Sequence, residues 1–89
     1  MTDICIFIES CTFDINTDYY GGSDLRFDDV PTPCTCSAMC LNNTACLAYS
    51  WQMDGSQRCW LKLAATDGGA LVQMKRVDFI SGNCTRRKC

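Results

Sequence analysis

The sequence predicts an α+β fold in which a β-sheet packs on a single short helix. Most apolar residues fall in short strand-like segments, and only one stretch of the chain carries helix signals. The chain has 89 residues and nine cysteines, a density that is typical of small domains stabilised by disulfide bonds. We therefore expect one disulfide-rich domain that is made in an oxidising compartment.

The strands are predicted from β-favouring residues and from the alternation of apolar and polar positions. The segments are residues 4–8, 11–15, 46–52, 58–63 and 77–80. Residues 53–57 are rich in turn formers and are expected to join the third and fourth segments as a hairpin. Alternation along the fourth segment places Cys59, Leu61 and Leu63 toward the core. The opposite face of that segment carries Arg58, Trp60 and Lys62.

The helix is predicted over residues 34–41. Thr32 suits the N-cap position and Pro33 suits the first helical position. Cys36 and Cys40 are four residues apart and so share one helical face. Before the helix, residues 16–24 are dense in turn formers and are expected to form a loop that presents two tyrosines.

Several classes of function are excluded by the composition. The net charge of −2 argues against a nucleic-acid-binding protein, and the short apolar runs argue against membrane insertion. The chain has no histidine, the commonest general base, and adjacent Asp28 and Asp29 would point to opposite faces of a strand. A zinc site at Cys34, Cys36 and Cys40 is the metal alternative, but paired C-x-x-C motifs are missing. We expect a protein that is not an enzyme and that needs no cofactor or metal.

The arrangement of motifs resembles the PAN/apple domain family. The resemblance covers residues 11–84 and rests on six cysteines in register with Cys59-Trp-Leu-Lys62. The other matching motifs are Asp18-Tyr-Tyr-Gly-Gly-Ser-Asp-Leu25, Cys36-Ser-Ala-Met-Cys40, Cys46-Leu-Ala-Tyr-Ser-Trp51 and Ser81-Gly-Asn-Cys84. These sequence motifs are similar to those in modules of apicomplexan microneme adhesins and of oomycete secreted lectin-like proteins.

The resemblance implies a small disulfide-rich fold, with a five-stranded antiparallel sheet packed on a single helix. It also implies three disulfides: Cys11–Cys84, Cys36–Cys59 and Cys40–Cys46. The residue pattern agrees with the last two. Cys36 and Cys40 share the helix face that must pack on the sheet, and Cys59 lies on the inward face of its strand.

Three further cysteines have no counterpart in that scheme. We predict a fourth bridge, Cys5–Cys89, because the two residues extend outward from Cys11 and Cys84 by nearly equal lengths. Cys34 points away from the helix face of Cys36 and is expected to be the odd cysteine, as a free or intermolecular thiol. The alternative pairing is Cys5–Cys34. The expected organisation is an N-terminal flank at 1–10, the domain at 11–84 and a basic C-terminal flank or linker at 85–89.

The expected function is recognition by one module of a larger protein that is secreted or stored in a secretory organelle. The residues predicted to contact a ligand are Tyr19, Tyr20, Arg58, Trp60 and Lys62, since aromatic faces and cations suit sugar rings or protein hot spots. The partner is expected to be a carbohydrate or an extracellular protein such as a host-cell receptor, and neighbouring PAN/apple modules are possible partners. The alternative is a protein-assembly or inhibitor module without glycan binding, dimerised through the odd cysteine. Asn42 is a candidate glycosylation site in an Asn-Asn-Thr sequon.

Overall fold

The computed structural model describes residues 11–20, 23–63 and 71–84, and the predicted strand at residues 4–8 lies outside them. The elements are β1 (Asp14–Tyr20), β2 (Ser23–Phe27), α1 (Pro33–Leu41), β3 (Cys46–Gln52), β4 (Cys59–Leu63) and β5 (Val72–Asn83). The strands pair antiparallel in the order β1-β5-β3-β4-β2. The predicted five-stranded antiparallel sheet on a single helix is confirmed.

The helix begins and ends where its capping residues predict. The Thr32 hydroxyl accepts a hydrogen bond from the Thr35 amide at 3.1 Å, which satisfies one of the unpaired amides of the first turn. Pro33 occupies the first turn, where its missing N–H costs nothing. At the other end, the amide of the C-cap residue Asn42 reaches the Ala38 carbonyl at 3.0 Å.

The core lies between α1 and the central strands and consists largely of cystine. Its buried members are Val30, Cys36, Cys40, Cys46, Tyr49, Cys59, Leu61 and Cys84. Five of these eight residues are cysteines, so the bridges fill the space that larger apolar side chains occupy in longer domains. Trp51 packs at the edge of this core and donates from Nε1 to the Val30 carbonyl at 2.9 Å.

The predicted loop at residues 16–24 is wrong, because this part of the chain forms most of β1 and the start of β2. Strand pairing with β5 and β4 outweighs the local turn propensity of these residues. Among the described residues 16–20 and 23–24, the turn propensity is used at one point. Asn16 adopts φ 57° where the β1–β5 register shifts between Ile15 and Thr17, as a β-bulge requires.

The last strand is also longer than the predicted 77–80. β5 spans Val72–Asn83, and its first half pairs only with β1. Asp78 interrupts the strand at φ 70°, and its carbonyl accepts the Met53 amide at 2.8 Å. The charges at Lys75 and Arg76 obscure the apolar alternation in the first part of the strand, which the sequence pattern therefore misses.

The structure contains all three disulfides that the resemblance implies. Cys36–Cys59 joins α1 to β4, and Cys40–Cys46 joins α1 to β3. Cys11–Cys84 joins the segment before β1 to the residue after β5.

The assignment of Cys34 as the odd thiol is wrong, because Cys34 is disulfide-bonded. The helical-wheel argument established only that this side chain points away from Cys36. A side chain on that face can still meet another part of the chain, and Cys34 is half-buried. Cys5 and Cys89 lie outside the described residues, so the Cys5–Cys89 bridge is not tested directly, and a bond from Cys34 to either residue would exclude it.

Across the described ranges 11–20, 23–63 and 71–84, no helix has the length and hydropathy needed to cross a membrane.

Candidate functional site

A groove crosses the sheet on the face opposite the helix. Its volume is about 310 Å³. The lining side chains are Asp18, Asp24, Gln52, Arg58, Trp60, Lys62, Arg76 and Phe79. Alternation along β4 explains this position. Cys59 and Leu61 point into the core beneath the helix, so Trp60 and Lys62 point to the other side of the sheet.

Three of the five residues predicted to contact a ligand line this groove: Arg58, Trp60 and Lys62. The other two do not. Tyr20 is 69% exposed but lies outside the groove lining, and Tyr19 is buried at 8% exposure. Because Asp18 points into the groove, its strand neighbour Tyr19 points to the helix side of the sheet. The role of these residues in ligand contact stays a prediction.

Tyr19 and Tyr49 belong to the packed side of the sheet. The Tyr49 hydroxyl donates to the Thr12 carbonyl at 3.1 Å, and burial raises the pKa of its phenol. Burial likewise raises the pKa of Tyr19, and the negative charge of Asp14 adds to both shifts. Both side chains are packed in the interior, Tyr19 at 8% and Tyr49 at 0% exposure.

Lys62 is more buried than its predicted outward face suggests. Its side chain is 8% exposed, and its Nζ lies 3.2 Å from Asp24 Oδ2 and 4.0 Å from Asp18 Oδ1. Asp24 of β2 is the direct cross-strand partner of Lys62 in β4. The sheet register thus places carboxylates beside this buried amine, and they compensate for the water that it loses.

Asp18 is the central acceptor of the groove. Its carboxylate accepts from the Ser50 hydroxyl, from the Tyr19 amide at 2.8 Å and from Arg76 Nη1 at 3.2 Å. Together with Lys62, these contacts connect β1, β5, β3 and β4 through one side chain that is 6% exposed. A buried carboxylate with this many donors fixes its neighbours in one arrangement.

Each of the two aromatic rings of the groove lies close to at least one cationic side chain. Arg76 lies 4.6 Å from the centroid of the Phe79 ring. Lys62 and Arg26 lie 5.8 Å and 5.9 Å from the centroid of the Trp60 ring. These distances are within the range of cation–π attraction.

Trp60 is held by a chain of side-chain hydrogen bonds. Its Nε1 donates to Gln52 Oε1 at 3.0 Å, and Gln52 Nε2 donates to Asp54 Oδ2 at 2.9 Å. The half-buried indole thus has a fixed orientation at the wall of the groove.

Five groove residues were missed from the sequence: Asp18, Asp24, Gln52, Arg76 and Phe79. Asp18 and Asp24 were assigned to turns, and Arg76 lay outside the predicted last strand. A signal was available for Gln52. It lies two residues after Ser50 and so on the same face of β3, and Ser50 lies opposite Trp60 in the hairpin. The other four residues reach the groove through strand pairing between distant segments, and a local sequence pattern does not predict such pairing.

Three sulfur atoms, those of Cys11, Cys40 and Cys84, lie within 4.8 Å of one another. Each belongs to a disulfide, so none is present as the thiolate that a metal requires. Asn42 is exposed at the end of α1, which is compatible with the predicted glycosylation.

Comparison with known proteins gives one match. The family model of the PAN domain matches residues 5–84, which is most of the chain. No curated protein and no solved structure matches the chain at a significant level.

Proposed function

The chain belongs to the PAN domain family, whose members are in general protein- or carbohydrate-binding modules. On this basis we propose that the protein is an extracellular, non-enzymatic module that binds carbohydrate in the sheet groove. The disulfide-rich core is typical of proteins made in the secretory pathway. We also propose that residues 1–10 and 85–89 flank a domain at 11–84 and connect it to neighbouring PAN modules.

The observation that carries this proposal is the fixed polar lining of the groove. Asp18 and Lys62 are nearly buried and hydrogen-bonded, and Trp60 is held by Gln52. Carbohydrate sites combine an aromatic wall with a few polar groups whose positions are set before the ligand arrives. The volume of about 310 Å³ is at the lower end of the range for small-ligand sites and suits one or two sugar rings.

A protein ligand is the second candidate, and a different observation favours it. Three apolar side chains on the paired parts of β1 and β5 are exposed: Tyr20 at 69%, Val72 at 57% and Met74 at 42%. Tyr20 lies opposite Val72 in the register, so the two share one face. Exposed apolar surface of this kind is characteristic of sites that contact other proteins, such as a host-cell receptor.

The test is a glycan-array screen followed by calorimetry with the disulfide-bonded protein. For Trp60→Ala we expect a loss of at least about tenfold in affinity for the glycan found, since the groove loses its aromatic wall. Phe13→Ala is the matched control, because Phe13 is 51% exposed and lies outside the groove lining.

The protein alternative gives the opposite pattern. In that case no glycan on the array binds, and the protein binds a purified extracellular protein saturably. Tyr20→Ala weakens this binding and Trp60→Ala does not. This result would overturn the carbohydrate proposal in favour of a protein ligand.

A further inference from the structure

The structure points to a charge preference in the groove, and this inference rests on the function proposed above. We propose that the groove selects saccharides bearing an anionic group, a uronate carboxylate or a sulfate ester, and that Arg58 and Arg76 bind this group. The argument depends on which hydrogen-bonding atoms of the groove are already used and which are still presented to solvent.

The acceptors of the groove are largely occupied by its own donors. Both carboxylate oxygens of Asp18 accept bonds, from the Ser50 hydroxyl and the Tyr19 amide at one and from Arg76 at the other. Asp24 Oδ2 accepts from Lys62, and Gln52 Oε1 accepts from Trp60. A neutral sugar binds tightly where its hydroxyls find open acceptors as well as donors, and this groove offers few acceptors.

Donors, in contrast, remain available. Arg76 uses Nη1 for Asp18, yet its side chain is 57% exposed and its guanidinium carries five N–H donors in total. Arg58 is 43% exposed, and its Nε lies 3.6 Å from Asp28 Oδ1 in an exposed and therefore weak pair. The lining carries three cations, Arg58, Lys62 and Arg76, against two carboxylates, Asp18 and Asp24, which leaves one positive charge. One anionic group on a ligand would neutralise it.

Arg76 is also positioned before any ligand binds. Its guanidinium is held by the Asp18 carboxylate at 3.2 Å and by the Phe79 ring at 4.6 Å. An arginine held between a buried carboxylate and an aromatic ring has already lost much of its side-chain freedom. The entropic cost of ordering it when an anion binds is therefore smaller. Planar guanidinium groups match carboxylate and sulfate oxygens in pairs, which favours these groups over a hydroxyl.

Two pairs of probes test the proposal by calorimetry with the disulfide-bonded protein. Trigalacturonic acid is compared with its methyl ester, which keeps the sugar and removes the charge. Lactose 6′-sulfate is compared with lactose, which keeps the sugar and removes the sulfate, and the two pairs distinguish a carboxylate from a sulfate. We expect the charged member of at least one pair to bind about tenfold more tightly or better, as a charge-assisted hydrogen bond predicts, and to weaken as salt is raised.

The variants assign the effect to the groove. Arg58→Ala and Arg76→Lys are each expected to weaken binding of the charged probe about tenfold more than binding of its neutral partner. Arg76→Lys keeps a positive charge beside the buried Asp18 carboxylate, so this ion pair is retained. Lys75→Ala is the control, because this exposed cation neighbours Arg76 but points to the other face of β5.

The possible failures are distinguishable. Equal affinity for the charged and neutral members overturns the charge preference but leaves carbohydrate binding in the groove intact. Binding of a charged probe that neither arginine variant changes assigns it to another surface, such as the basic residues 85–89, and overturns the site. Absence of binding to all four probes overturns the charge preference, and absence of binding to any glycan on the array overturns the proposed function as well.

Discussion

At position 82, the chain that packs across the backbone leaves room only for glycine. A Cβ atom at this position would lie 1.7 Å from the Thr12 carbonyl oxygen and 2.7 Å from the Tyr49 ring. The same Thr12 carbonyl accepts the Tyr49 hydroxyl, and Thr12 exchanges backbone and side-chain bonds with Asn83. Absence of a side chain at residue 82 therefore allows the segment before β1 to pack on the end of β5.

For Gly82→Ala we expect a loss of about 3 kcal/mol in the free energy of unfolding, because the Thr12 backbone must move and its bonds to Tyr49 and Asn83 weaken. The measurement is urea unfolding with the disulfides intact. Gly55→Ala is the comparison: nothing lies within 4 Å of its Cβ, and its φ of 96° costs an alanine only about 1 kcal/mol. An equal loss in the two variants would contradict the close packing at Gly82.

At the scale of elements, two disulfides attach the helix to the sheet with different effects on the unfolded chain. Cys36–Cys59 closes a separation of 23 residues and Cys40–Cys46 closes one of six. All four cysteines are at most 1% exposed, so replacing either pair with serine changes the buried packing to a similar extent.

We expect the Cys36→Ser, Cys59→Ser protein to be about 1 kcal/mol less stable than the Cys40→Ser, Cys46→Ser protein, because the longer loop restricts the unfolded chain more. Denaturant unfolding of both double variants measures the difference. A larger loss from the Cys40–Cys46 pair would show that native-state interactions, and not loop entropy, dominate the contribution of these bridges.

The same scale shows what could be predicted from the sequence. α1, β3 and β4 were predicted nearly to the residue, because their signals are local: a capping threonine, a proline, and alternation on both sides of a short turn. The prediction missed most of β1, β2 and the first half of β5, because their polar residues adopt strand conformation only through pairing with distant segments. The candidate site divides in the same way, since Trp60 and Lys62 follow from alternation in β4 whereas Asp18 and Arg76 depend on the β1–β5 pairing.

At the scale of the whole molecule, the cysteine count of nine gives a further expectation. Six cysteines form the three described bridges, and Cys34 is also disulfide-bonded. We therefore expect peptide mapping without reduction to link Cys34 to Cys5 or to Cys89. The other member of that pair would then be alkylated in a monomer, or would link two chains in a dimer. Alkylation of Cys34 itself would contradict this scheme and restore the Cys5–Cys89 bridge.

The bridge between the segment before β1 and the residue after β5 has a mechanical consequence. The Cα atoms of Cys11 and Cys84 are 4.1 Å apart although 73 positions separate them in sequence, and a covalent bond joins their side chains. A pulling force applied between these two residues passes through the sulfur atoms and leaves the sheet, the helix and the groove unloaded. A tether anchored through this domain could thus carry tension while its binding surface keeps its shape, until a reductant opens the bond.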